Sequence, residues 1–151
     1  MFHKILVPLD GSALAEKALP YATSLAQKYG AEIILVQALP PMPTLAVAEY
    51  GHVPFDYGLI LDREEARANE YLGGIKEQLL AEEVPTRIAV LKDRSVAEAI
   101  VDTAVQEGVE LIVKTTHGRS GFSRWVYGSV ATKVLQQAPC PVFLIRITEE
   151  D

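Results

Sequence analysis

Five short apolar runs alternate with four helix-patterned stretches along this chain, and that alternation limits the fold more than any other feature. The runs are Ile5–Leu9, Glu32–Leu39, Arg87–Leu91, Leu111–Lys114 and Val142–Ile147. Ile5-Leu6-Val7-Pro8-Leu9 has no polar member, which suits a strand covered on both faces, as in a parallel sheet. Strands separated by helices imply right-handed crossovers, so the pattern predicts an α/β, doubly wound, mainly parallel five-stranded sheet with helices on both sides. Sheets of this kind hold ligands beyond the carboxyl ends of their strands, where the strand order reverses. Asp10, Gln37-Ala38 and Lys114-Thr115 each end a strand and are expected at one crevice.

The helices are marked by their stop signals and caps. Leu14, Ala18, Tyr21, Ala22, Leu25 and Tyr29 fall on one face of a helix over 13–29, opened by Ser12 and ended by Gly30. Pro20 lies inside it and should kink it, because proline lacks the N–H and clashes with the preceding turn. Leu61, Ala68, Leu72, Ile75 and Leu79 form the stripe of a second helix that Gly73-Gly74 weakens. Ser95-Val96-Ala97-Glu98 is a capping box before Ala97, Ile100, Val101 and Ala104, and Gly108 closes that helix. Val130, Val134 and Ala138 recur at helical spacing in the last. Between Pro40 and Gly58 four prolines interrupt any period, so this stretch reads as a long loop, either a lid, a subunit contact or an excursion with no role.

At 151 residues with 49% apolar side chains, the chain fits one domain over 1–151 with a substantial core. Its net charge of −6 opposes non-specific nucleic-acid binding, which depends on clustered cations. The single Cys140 has no internal disulfide partner and reads as a packed thiol in a reducing compartment. The apolar run after Lys4 is too short for a signal-peptide core, and no run reaches a membrane span of about 18 residues. A cytoplasmic protein without a membrane partner is expected.

The stretch Thr115–Ser129 leaves a strand and enters a helix. There, unpaired backbone N–H groups and the positive end of the helix dipole face outward, and Gly118, Gly121, Gly128 and Ser129 let an anion come close. The spacing Gly118, nine residues, Gly128-Ser129 resembles the nucleotide-binding signature of the universal stress protein family. Lys4-Ile-Leu-Val-Pro-Leu-Asp-Gly-Ser12 and Ala138-Pro-Cys-Pro-Val142 extend the resemblance over essentially the whole chain. Two positions depart from it. Thr115 stands where the signature has its first glycine, and Lys114 where the family usually has an apolar residue.

The resemblance implies a Rossmann-like sheet in the order 3-2-1-4-5 and an adenine nucleotide, ATP or AMP, with or without Mg2+. It implies that Pro8 and Leu9 flank the base, that Asp10 belongs to the nucleotide site and that Ala38 touches adenine. The backbone at Gly118, Gly128, Ser129 and Val130 would hold phosphates, with side-chain contacts from Arg119 and Ser120. Residue chemistry gives bland roles beside these: Asp10 as support for the turn into the helix, Ser129 as an N-cap, Lys114 with its ammonium snorkelling to water. Should position 115 require a positive φ, threonine would cost about 1–3 kcal/mol and could abolish binding. With ordinary strand dihedrals it is harmless.

Other chemistries fit less well. Gly118-Arg119-Ser120-Gly121 is one residue short of a nucleophile elbow, His3, His52 and His117 show no metal-ligand spacing, and neither common nucleotide fingerprint occurs. No catalytic residue stands out, so at most slow ATP hydrolysis is expected. The reading is a regulatory stress-response homodimer that holds a nucleotide. A homodimeric interaction module without nucleotide is the alternative. The dimer would pair the final strand, Val142 to Ile147, with its copy, unless the loop from Pro40 covers that edge.

Overall fold

The computed structural model describes residues 1–41, 56–92, 94–116 and 127–147. The apolar runs form strands β1 (Lys4–Leu9), β2 (Glu32–Ala38), β3 (Thr86–Leu91), β4 (Leu111–Thr115) and β5 (Val142–Ile145). They make one five-stranded sheet in the order β3-β2-β1-β4-β5, with every ladder parallel, as the sequence implied. Helices α1 (Ala13–Glu16), α2 (Leu19–Tyr29), α3 (Tyr57–Ala81), α4 (Val96–Glu107) and α5 (Ser129–Gln137) connect them.

Two apolar layers explain why the strands carry unbroken hydrophobic runs. Ile5, Val7, Ile33, Leu35 and Val113 face one layer, with Ala15 of α1, Ala18 between the helices, Ala22 and Ala26 of α2, and Leu72, Ile75 and Leu79 of α3. Leu6, Ile34, Val36 and Ile112 face the other, against Ala97, Ile100 and Ala104 of α4 and Val134 of α5. Successive side chains of a strand point to opposite faces, so a central strand needs apolar residues at every position. Full burial of one such Leu or Ile stabilises the fold by about 1.5–3 kcal/mol.

Some expected boundaries shift, for local reasons. The helix expected over 13–29 is two helices, and Pro20 sits in the first turn of the second, where its missing N–H costs nothing. Lys17 and Ala18 instead donate to Leu14 and Ala15 in a tight turn. The break also shifts the helical phase, so Tyr21 is 48% exposed on the flank of the Ala22–Ala26 stripe. Asp56 caps α3 by accepting from Gly58 N at 3.0 Å, so the helix starts before the expected end of the loop and buries Ile60 more fully than Leu61. The rest of that loop, from Met42 to Phe55, lies outside the described residues. The pairing of β5 ends at Ile145, opposite Thr115.

Ser12 and Ser95 cap as expected, accepting from Ala15 N and Glu98 N. Three helices end in one hydrogen-bonded motif, with Ala31 N, Val84 N and Val109 N each donating at 2.9 Å to a carbonyl five residues back. The left-handed residue of that motif is Gly30 in α2 and Gly108 at α4, but Glu83 (φ 61°) at α3.

Candidate functional site

Strands β1 and β4 part at their carboxyl ends, and the sequence supplies the wedge. Pro8 has no N–H to give to a neighbouring strand. The ladder from β1 to β4 stops at Leu6↔Ile112, whereas that from β1 to β2 continues to Leu9↔Gln37. This is also where the chain order reverses. A cavity of about 280 Å3 opens there, near the lower end of the usual range for small-molecule sites.

One wall is the first turn of α5. Gly128, with φ −54° and ψ 151°, is the N-cap, and Ser129 is the first helical residue, so the expected capping role of Ser129 is corrected. Gly128 N donates to Thr116 O at 3.1 Å, which ties the start of α5 to the end of β4. Ser129, Val130 and Ala131 line the cavity, and N–H groups in an opening helical turn lack intrahelical partners. The positive dipole end adds to them, giving a wall suited to an anion.

Lys114 reinforces that wall. It is 8% exposed, and its Nζ donates to Thr115 O at 2.7 Å inside the cavity lining, so the ammonium does not snorkel to bulk water. Burial pushes it down to about 8, partly offset by the charge of Asp10. It therefore remains mostly cationic at neutral pH. Thr115 is 3% exposed and pairs with Ile145 in β4; Glu83 is the only non-glycine with positive φ among the described residues. The backbone strain feared at position 115 is absent.

Asp10 ends β1, midway across the crevice. Its Oδ1 accepts from Ser12 N at 2.9 Å and from Ser12 Oγ at 2.5 Å, bracing the turn that Gly11 makes at φ 82°. The turn-supporting role is thus present, and the same carboxyl group also lines the cavity. Beyond it, β2 contributes Gln37, Ala38 and Leu39, and α3 contributes Glu64. The Glu64 side chain is 13% exposed and lies 3.2 Å from Arg67 Nη1.

The fold brings ten expected residues into this lining: Pro8, Leu9, Asp10, Gln37, Ala38, Lys114, Thr115, Gly128, Ser129 and Val130. Gly118 and Arg119 lie outside the described residues. Sequence reasoning missed Glu64, one of the charges Asp62, Arg63, Glu64 and Glu65 in the first turns of the second helix, Val96, which reads as part of the capping box, and Ile100, which reads as core. Thr116 was missed too. Its Oγ1 accepts from Ile147 N at 3.3 Å and fastens the chain beyond β5 to the cavity floor.

Comparison with known proteins follows the same outline. The model of the universal stress protein family matches residues 1–146. A universal stress protein encoded in the QAH/OAS sulfhydrylase 3' region of Thermus aquaticus is 36% identical over 146 residues, covering 97% of this chain and all of that one. Among solved structures, the universal stress protein UspA from Lactobacillus plantarum superposes with a TM-score of 0.77 at 24% identity, over 96% of this chain and 98% of the other. A universal stress protein from Archaeoglobus fulgidus in complex with dAMP gives 0.62 at 21% identity, over 95% and 98%. Motif order, sheet topology and this match along nearly the full length agree, and the chain belongs to the universal stress protein family.

Proposed function

We propose that this protein is a single-domain regulatory module of stress response that holds an adenine nucleotide, ATP or AMP, in the crevice between β1 and β4. The observation that carries the reading is the pairing of a helix N-terminus with a buried lysine on one wall of a cavity lined by strand ends. Such a wall offers N–H donors and positive charge to phosphates, and the apolar Pro8, Leu9 and Ala38 offer surface to a base. The complex of a family member with dAMP supports the assignment. Mg2+ fits as a companion of the phosphates, because it is commonly held by one or two carboxylates together with phosphate oxygens, and Asp10 supplies a carboxylate at the centre of the lining. Holding, with at most slow hydrolysis, suits the residues that line the cavity.

Calorimetric titration of ATP and AMP into wild type and Gly128→Val tests this reading. Bulk and branching at the N-cap of α5 should weaken binding at least about tenfold, since the phosphate must approach that backbone. Equal affinities would overturn the site. A wild type that binds neither nucleotide would instead favour the nucleotide-free interaction module.

A homodimer through β5 belongs to the same proposal. β5 is the sheet edge, and Phe143 on it is 40% exposed, stacked edge-on against the exposed Tyr21 with centroids 5.7 Å apart. Among the described residues only β4 pairs with β5, and a strand edge of this kind with aromatic surface beside it favours pairing with a second copy.

A further inference from the structure

Lys114 is the one cation of the cavity lining among the described residues, and holding a phosphate asks of it only its charge. Its position gives it a second chemistry. Side chains alternate along β4, so with Ile112 in the layer under α4 and α5 and Val113 in the opposite one, Lys114 points to the α4 and α5 side. The lining on that side is apolar Val96, Ile100 and Val130, next to the opening turn of α5. Among the described residues the one hydrogen-bond acceptor on its Nζ is Thr115 O, whereas an ammonium has three donors to place. The surroundings therefore favour the neutral amine. Burial lowers the lysine to about 8 and the charge of Asp10 on β1 raises it in part; Glu64 of α3 is the other charged residue of the lining. At neutral pH about a tenth of Lys114 is then the free amine, roughly 300 times the share in an ordinary lysine. A free amine is a nucleophile and an ammonium is not.

We propose that Lys114 is a site of acylation by acyl phosphates, the mixed anhydrides of a carboxylic acid with phosphate, whose phosphate the α5 wall holds while the acyl carbon lies against Nζ. The proposal rests on the phosphate-holding half of the nucleotide reading. In the reaction the Nζ lone pair forms an amide bond to the acyl carbon and the bond from that carbon to the phosphate oxygen breaks. The proton shed by nitrogen ends on the departing phosphate, so no further reactant is needed. N–H groups of the opening turn of α5 face the charge that gathers on the leaving oxygen. A cavity of about 280 Å3 has room for a small acyl phosphate. The amide is neutral, so it suits the apolar side of the crevice and removes the cation that draws phosphates. Acylation thereby switches the site from holding anions to excluding them.

The test incubates wild-type protein near neutral pH with acetyl phosphate and, separately, with acetyl adenylate, and follows acetylation of each lysine by peptide mass spectrometry. Lys114 should react with acetyl phosphate at least about tenfold faster than the exposed Lys28 and Lys133, and its rate should rise with pH and level off above about 8. Inorganic phosphate should slow Lys114 and leave the exposed lysines unchanged. Reaction at Lys114 no faster than at Lys28 and Lys133, or unaffected by phosphate, overturns the proposal. Comparing the two reagents identifies the source: a faster reaction with acetyl adenylate assigns the acyl group to a nucleotide carrier, a faster one with acetyl phosphate to the free anhydride. Selective reaction with acetyl phosphate that AMP fails to slow upholds the proposal and overturns the nucleotide reading, whereas AMP binding without selective reaction does the reverse.

Discussion

Lys114→Met should stabilise this protein, although it removes a residue that lines its cavity. The ammonium falls from 10.5 in the ordinary lysine to about 8, chiefly through burial. At about 1.36 kcal/mol per pH unit, keeping it charged in the fold costs about 3 kcal/mol. Methionine keeps the unbranched stem and drops the charge, but leaves Thr115 O without the 2.7 Å bond from Nζ, a loss of about 1 kcal/mol. The net gain is about 2 kcal/mol, or about 4–8 °C in melting temperature for a chain of this size. The sign of the pH dependence follows from the direction of the shift. Below about 8 the lysine is protonated folded and unfolded, and the cost is present in full. Between about 8 and 10.5 the unfolded chain binds more protons, so wild-type stability climbs with pH toward that of the variant. Urea denaturation of both proteins at fixed protein concentration, near neutral pH and again near pH 10, reads the gap directly. A variant no more stable than wild type at neutral pH, or a gap that does not shrink with rising pH, would refute the reasoning. The same variant should bind ATP more weakly at low salt, because the cation faces the anion wall.

Glu83→Gly should stabilise by about 0.5–1 kcal/mol, because position 83 takes the left-handed conformation that glycine adopts freely in the equivalent places at Gly30 and Gly108. Thermal melting reads this as a rise of about 1–4 °C, and an unchanged or lower midpoint would contradict it. Phe143→Lys should leave the fold intact and convert a dimer to a monomer, by placing charge on the exposed β5 edge. Sedimentation equilibrium checks it, and a wild-type mass near the 16.5 kDa of one chain would remove the dimer from the proposal.

The sheet was legible because its cause is local. Unbroken apolar runs at Ile5–Leu9 and Leu111–Val113 need two covered faces, and Gly30, Ser95 and Gly108 punctuate the helices through conformations and caps that neighbours in sequence control. The strand order, by contrast, entered only through family resemblance, since pairing is decided by packing between segments far apart in the chain. Much of the cavity was legible too, because strand ends announce themselves by Asp10 and Ala38. Tertiary structure alone decided the rest. Pro20 reads as a kink until the break at Lys17 and Ala18 places it in a first turn. Glu64 looks solvated until α3 lays it across the end of β2, opposite the wall that Lys114 and α5 make. Charge in a sequence has no address; whether a carboxylate meets water or a cavity depends on which element comes to cover it, and that is settled by the burial of the apolar stripe on the other side of its helix.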